Sequence, residues 1–476
     1  MLDAQRAVPQ TKLHDHTCMR YNDPSASELN HWRERTARRT TRLKAMEREL
    51  LAQRSPDLLQ IHPLNITDRL PPELLSHIFQ LVVVGSSGIW RQEWVRHLVS
   101  VSRRWRDVIY NRASFWTTVV VHGSRGLSSV SAHLTRSRNC LLDIEIRSFR
   151  ENEFPRLRRR LTLLIVHVRR WRSLELCVDG KAMQLSLDLL STMTFPSLTR
   201  ALIQSSRQHR TRSLCFLKAE QSPVLGHLEI EGFVWDDVPL LPTLASLKSK
   251  DMRCFSASMP PFLSQLSSMK LTALSVSGSL DTRWLLSDSL HLPHLERLTL
   301  DRTWKAKEVL EAIVAPKLEY FDYSAIHNSA SDIFGSLGSK YNSVRQLAFY
   351  LDHRVVLYLD RDGAEAVCLA FSGIRHATIW LAEIDSFFLF IDDSCPADHW
   401  TSLEHLTINT GDIGTESSAA LNGFVHWINR RVGERHRLHI KFMGTFADQR
   451  LFRLLDGIQK ERCTLEMGDL QSLNFG

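Results

Sequence analysis

From Leu141 onwards the chain repeats a short pattern, one apolar residue followed by others three and five positions later, and nothing else restricts its fold so strongly. The clearest copies are Leu225, Leu228 and Ile230; Leu295, Leu298 and Leu300; Leu318, Phe321 and Tyr323; and Leu403, Leu406 and Ile408. Weaker copies align with these. First positions then fall at Leu141, Trp171, Leu198, Leu225, Leu244, Leu271, Leu295, Leu318, Val344, Ile374, Leu403, Arg435 and Lys460, at steps of 19 to 32 residues. Within a copy the last two apolar residues are two apart, which puts them on one face of a strand. Each step leaves room for a further element, and residues 306–314 and 424–431 read as helical. So small a unit cannot bury its own apolar face, and neighbouring units must stack to do so. The expectation is an α/β array whose strands lie side by side in one parallel sheet. A propeller or sandwich, the competing arrangement, would pair the same segments antiparallel.

Residues 70–116 have a different character. Asp68 can cap a helix, Pro71 and Pro72 suit its first turn, where a missing N–H breaks no bond, and Glu73 complements the positive helix end. Leu74, Leu75, Ile78, Leu81 and Val82 follow on one side at helical spacing until the Gly85–Gly88 stretch interrupts. A second stripe (Trp94, Val95, Leu98, Val99, Val101) and a third (Trp105, Val108, Ile109) complete three short helices. A domain of roughly 40 residues buries little surface and tends to need a partner. Upstream, residues 1–27 read as a disordered arm, residues 28–54 as a short amphipathic helix (Leu29, Trp32, Leu43, Met46, Leu50) and residues 55–69 as a linker. The helical domain is set at 70–119 and the array at 120–476.

The order Leu70-Pro71-Pro72-Glu73-Leu74-Leu75, an apolar middle, then Arg103-Arg104-Trp105-Arg106-Asp107 and Phe115-Trp116 resembles the F-box, in the form seen in fungal F-box proteins. The likeness covers about a tenth of the chain, and the Gly85–Gly88 insert departs from it. The resemblance implies a three-helix motif that docks on the Skp-type adaptor of a cullin–RING (SCF-type) ubiquitin ligase, with the following chain holding a protein substrate. It further implies adaptor contacts at Leu70, Pro71, Leu74, Leu75, Ile78 and Leu98, with Trp105 in the small core. The array in turn resembles the irregular kind of leucine-rich repeat, although the usual Asn or Cys is mostly missing. The implied fold is thus an N-terminal F-box followed by a leucine-rich-repeat-like solenoid.

A hydrophobic content of 43% argues against wholesale disorder. No apolar run approaches the ~18 residues of a membrane helix, and Asp3, Arg6 and Pro9 occupy the place of a signal peptide, so a soluble cytoplasmic or nuclear protein is expected. The eight cysteines are scattered without a Cys-x-x-Cys pair, and His14, His16 and Cys18 lack a fourth ligand nearby; no metal or cofactor is expected. The net charge of +8 is concentrated between Arg147 and Arg172, with nine basic residues against two acidic ones. No nucleic-acid-binding signature accompanies it, and a solvated helix face is the simpler reading. Phosphate-binding, dinucleotide-binding and hydrolase motifs are lacking, and the adjacent pairs Asp236-Asp237 and Asp392-Asp393 read as solvated loop residues. The expectation is therefore an adaptor without catalysis; the alternative is a repeat scaffold or an enzyme unrelated to ubiquitin, in which the helices only pack. Side chains alternate along a strand, so the third, fifth and seventh pattern positions point outward. These gather Tyr320, Tyr350, His376 and Trp380 as the expected substrate contacts.

Overall fold

The computed structural model describes residues 70–84, 88–124, 126–147, 149, 153–178, 180–205, 214–233, 241–250, 266–279, 285–325, 329–351, 359–409, 418–431, 438–443 and 463–468. The expected arm, amphipathic helix and linker lie outside these residues, as do Asp68, His14, His16 and Cys18. The chain divides into two units between Phe115 and Trp116.

Among the described residues of the first unit, α1 spans Pro72–Val84, α2 Gly88–Val101 and α3 Arg103–Asn111. The Pro71 carbonyl accepts the first helical bond from Leu75 N at 3.1 Å. Ser102 caps α3, its hydroxyl accepting from Trp105 N at 3.2 Å. Leu75, Phe79, Val83, Val95, Leu98, Val108, Ile109 and Phe115 form the buried set. Trp105 is half-buried, with its ring 4.6 Å from that of Phe79. The guanidinium of Arg104 donates to the Leu70 carbonyl, and the Gln80 amide donates to Ser114 Oγ at 2.8 Å.

Among its described residues the second unit carries sixteen strands. They are β1 Thr118–His122, β2 Leu142–Arg147, β3 Trp171–Cys177, β4 Arg200–Gln204, β5 His227–Glu231, β6 Ser246–Lys250, β7 Ala273–Ser279 and β8 Leu290–His291. There follow β9 Arg297–Trp304, β10 Ile313–Val314, β11 Tyr320–Ala325, β12 Gln346–Leu351, β13 His376–Trp380, β14 His405–Asn409, β15 Leu438–Met443 and β16 Cys463–Gly468. All but β8 and β10, which pair with each other, join one fourteen-stranded sheet in chain order. Every pairing is parallel, which rules out the hairpins of a propeller or sandwich. β1 is the first strand of that sheet. Residues 116–119 fall within the second unit.

The fourth pattern positions form one continuous row: Val119, Ile144, Leu174, Ala201, Leu228, Leu247, Leu274, Leu298, Phe321, Leu347, Ala377, Leu406 and Ile440, all buried. Just before this row a ladder of backbone bonds joins each second position to the one before it. It runs from Thr199 N to Arg172 O through to Glu404 N to Arg375 O, each bond 2.8–3.0 Å long. The asparagine that would tie such turns together is replaced by hydroxyls, with Thr199 Oγ1 donating to Arg172 O and Thr272 Oγ1 to Ala245 O, both at 3.1 Å. Two pattern positions need correction. Leu406 pairs with Ile440 and Ile440 with Leu465, so the last two copies begin two residues later than Arg435 and Lys460. A two-residue shift keeps every side chain on its face, so alternation cannot detect it.

Helices fill the return segments, among them Phe154–Ile165, Gly180–Leu190, Ala306–Ala312, Arg361–Ala370 and Ser418–Arg430. An aromatic seam runs through the later repeats, with ring centroids 4.9 Å apart for Phe321 and Phe371 and 5.1 Å for Phe387 and Trp400. Leu298 is fully buried in the central row. Leu298→Ala is expected to lower stability by about 2–5 kcal/mol, through lost transfer energy and the cavity left behind. Urea unfolding of the two proteins checks this; an unchanged midpoint would remove Leu298 from the core.

Candidate functional site

Helix α1 carries two apolar stripes. Leu75, Phe79 and Val83 recur every four residues and face the helical core. Leu74, Ile78, Leu81 and Val82 lie on the adjoining arc and remain 51%, 44%, 65% and 42% exposed. A helix apolar around so much of its girth is expected in a buried setting, and this outer arc is left uncovered by the described residues. Trp90, Trp94 and Val101 of α2 are exposed as well. The sequence reading had merged the two stripes of α1 and treated that of α2 as one side.

This separation sorts the expected adaptor contacts. Pro71, Leu74 and Ile78 are exposed and Leu70 is half-buried. Leu75 and Leu98, by contrast, are only 1% and 8% exposed and spend their area inside the unit. Leu81 and Val82 join the exposed arc although they were not singled out as contacts.

The outward face of the sheet displays side chains in rows set by the strand register. One row reads Arg297, Tyr320, Gln346, His376, His405 and His439. The Arg297 guanidinium lies 5.3 Å from the Tyr320 ring centre, and the His376 and His405 rings are 4.5 Å apart. Further along the strands the Tyr350 and Trp380 rings meet edge to face at 6.1 Å. The four expected substrate contacts thus fall into two groups on three consecutive strands. Tyr320 and His376 flank Gln346 in one row, while Tyr350 and Trp380 touch beyond it.

Burial on this face shifts several acids. The Asp322 carboxyl is pushed up to about 6, by burial first and then by the nearby Asp301. Burial, with Asp322 adding to it and Arg297 opposing it, carries the Tyr320 phenol up to about 12. His376 is held below the ordinary histidine value by burial and by its neighbour His405. Glu383 was missed by the sequence reading, since nothing distinguishes a lone glutamate there. It is buried and accepts from Leu351 N at 2.6 Å and Trp380 N at 3.2 Å, tying together the ends of β12 and β13 that bear Tyr350 and Trp380. Burial pushes its carboxyl up to about 8, against the opposing pull of those two bonds.

Part of the basic stretch is engaged within the fold, while Arg156, Arg158, Arg159 and Arg169 are exposed. Arg160 is buried and donates to His122 O at 2.7 Å; Arg170 reaches Cys140 O at 2.9 Å and Ser137 Oγ at 2.7 Å; Arg172 grips Asp143 through two bonds of 3.1 and 2.5 Å. Asp392 and Asp393 are exposed, and Asp236-Asp237 lies outside the described residues. Cys368, Cys395 and Cys463 are buried free thiols, whereas Cys140 and Cys177 are half-buried. His376, His405 and Glu404 each bring a ligand atom within 4.8 Å of the others, a grouping hidden in the sequence because the two histidines are 29 positions apart. No helix among the described residues is long and apolar enough to cross a membrane.

The described residues thus combine a helical unit with an uncovered apolar arc and a parallel sheet built from sequential repeats. Residues 67–122 match the family model described as F-box-like, so the chain contains an F-box-like domain. Domains of this family typically bind Skp-type adaptors. No curated protein matches the chain.

Glu383 yields a pH prediction. Its folded value of about 8 lies above that of an unfolded glutamate, so its contribution to stability is complete below the ordinary carboxyl range and is lost as pH rises towards 8. The thermal midpoint of the chain should therefore fall between pH 5 and pH 8 more steeply than that of Glu383→Gln. Parallel profiles would show that Glu383 titrates normally.

Proposed function

We propose that this chain is a substrate-receptor subunit of a cullin–RING (SCF-type) ubiquitin ligase. In this reading the F-box-like domain holds the Skp-type adaptor, and through it the cullin. The sheet unit is an irregular leucine-rich-repeat solenoid that holds a protein substrate on its outward face, around Tyr320, Tyr350, His376 and Trp380. The chain's part is to bind and position, in the cytoplasm or nucleus, and no chemical step is assigned to it. The observation that carries the proposal is the exposed arc Leu74, Ile78, Leu81 and Val82 inside the segment that matches the F-box-like family. Covering an apolar arc with a complementary surface is favourable at about 25 cal/mol per Å² of apolar area.

Capture of the adaptor by the purified chain tests this directly. Leu74→Ala combined with Ile78→Ala should weaken adaptor binding by about 2–4 kcal/mol, roughly thirtyfold to several hundredfold, while the melting temperature hardly changes. Leu75→Ala should do the reverse and destabilise the helical unit. Undiminished adaptor capture by the double variant would sink the proposal. For the substrate half, Tyr350→Ala with Trp380→Ala should remove a specific partner from the co-purified proteins and leave the adaptor in place; an unaltered partner list would take this face out of consideration.

A further inference from the structure

The row of imidazoles across β13, β14 and β15 has a chemical capacity that protein docking does not use. His376, His405 and His439 stand opposite one another in register, with ring centres 4.5 and 5.3 Å apart, and Glu404 directly precedes His405. We propose that His376, His405 and Glu404 form a binding site for a divalent transition-metal ion of the zinc class. The proposal is independent of the ubiquitin reading.

The geometry is close to what such an ion needs. One ligand atom from each residue lies within 4.8 Å of the other two. Ligand atoms about 2.0–2.2 Å from a tetrahedral zinc sit roughly 3.4 Å from one another. His376 and His405 are exposed and Glu404 is half-buried, so small side-chain rotations close the difference. The backbone beneath is fixed, because Arg375 O accepts from both Glu404 N at 2.8 Å and His405 N at 2.9 Å. Two imidazole nitrogens with one carboxylate favour zinc, nickel or copper over magnesium or calcium, which prefer oxygen alone.

Two neighbours set the limits of the site. Arg375 Nη1 lies 3.7 Å from Glu404, so the ion competes with that weak ion pair. His439 is turned to the far side, with Nε2 3.3 Å from Glu466 and Nδ1 3.2 Å from Thr464 Oγ1. It therefore flanks the ion without binding it. Three protein ligands leave the fourth position to water or to a donor atom on a bound molecule.

The test is a titration of the metal-stripped full chain with zinc against a chromogenic chelating indicator, in the presence of excess magnesium and calcium. One zinc per chain is expected. His376→Ala and His405→Ala should each weaken it at least tenfold, and His227→Ala, which removes an exposed histidine from the same row on β5, should leave it unchanged. Circular dichroism confirms that each variant is folded. Cobalt loading of the unaltered chain should give visible absorption that the double variant loses. Absence of zinc binding, displacement by magnesium or calcium, or affinity in the two histidine variants unchanged from that of the unaltered chain would each overturn the proposal and leave a row of neighbouring surface imidazoles.

Discussion

The ladder of backbone bonds through the second position of each repeat is what the sheet unit rests on. Alternation of apolar residues decides which face of a strand is buried, but it is indifferent to a slip of two residues. The ladder removes that freedom. In it each carbonyl is matched to one step of the next copy, from Arg172 to Glu404, whatever the length of the intervening segment. Once the ladder is set, Leu298 must lie beside Leu274 and Phe321, and Tyr320 beside Arg297 and Gln346. The aromatic pair, the imidazole row and the acid-bearing strand ends all inherit their positions from it.

The F-box-like unit follows a different logic. Its inner stripe is satisfied by three short helices, and its outer stripe is not satisfied within the unit. A domain of this size has little burial to spare, so a partner that covers the outer arc of α1 also stabilises the fold beneath it, by mass action. Binding energy and folding energy in this segment are therefore linked, which is why Leu74 and Leu75, adjacent in sequence, are expected to fail in opposite ways when truncated.

How far residues could be read in advance depended on whether a local period carried the information. Period two was enough to place eleven of the thirteen repeat starts in register and to foresee a parallel sheet, and the helical motif around Leu70–Trp116 was recognisable from its order of residues. Period 3.6 was less informative, since it marks an apolar arc without saying which part of a broad arc turns inward. It grouped the buried Leu75 and Leu98 with the exposed Leu74 and Ile78 for that reason. Glu383 and the His376–Glu404–His405 grouping carried no local signal at all. The first matters because two strand ends converge on it, and the second appears only when residues 29 apart become neighbours across β13 and β14.

Strand alternation also divides labour along each repeat in a way that bears on descent. Inward residues such as Leu406 and Ile408 are shared between neighbouring copies and answer to the whole stack, whereas outward ones such as His405 and Thr407 answer only to what lies above them. Mutation can therefore rewrite the outer face one strand at a time, in increments of about 4.8 Å, with the scaffold's thermodynamics untouched. Lineages carrying such a chain would be expected to diversify their targets by surface drift on a conserved interior, and to change the reach of the array by gaining or losing whole repeats.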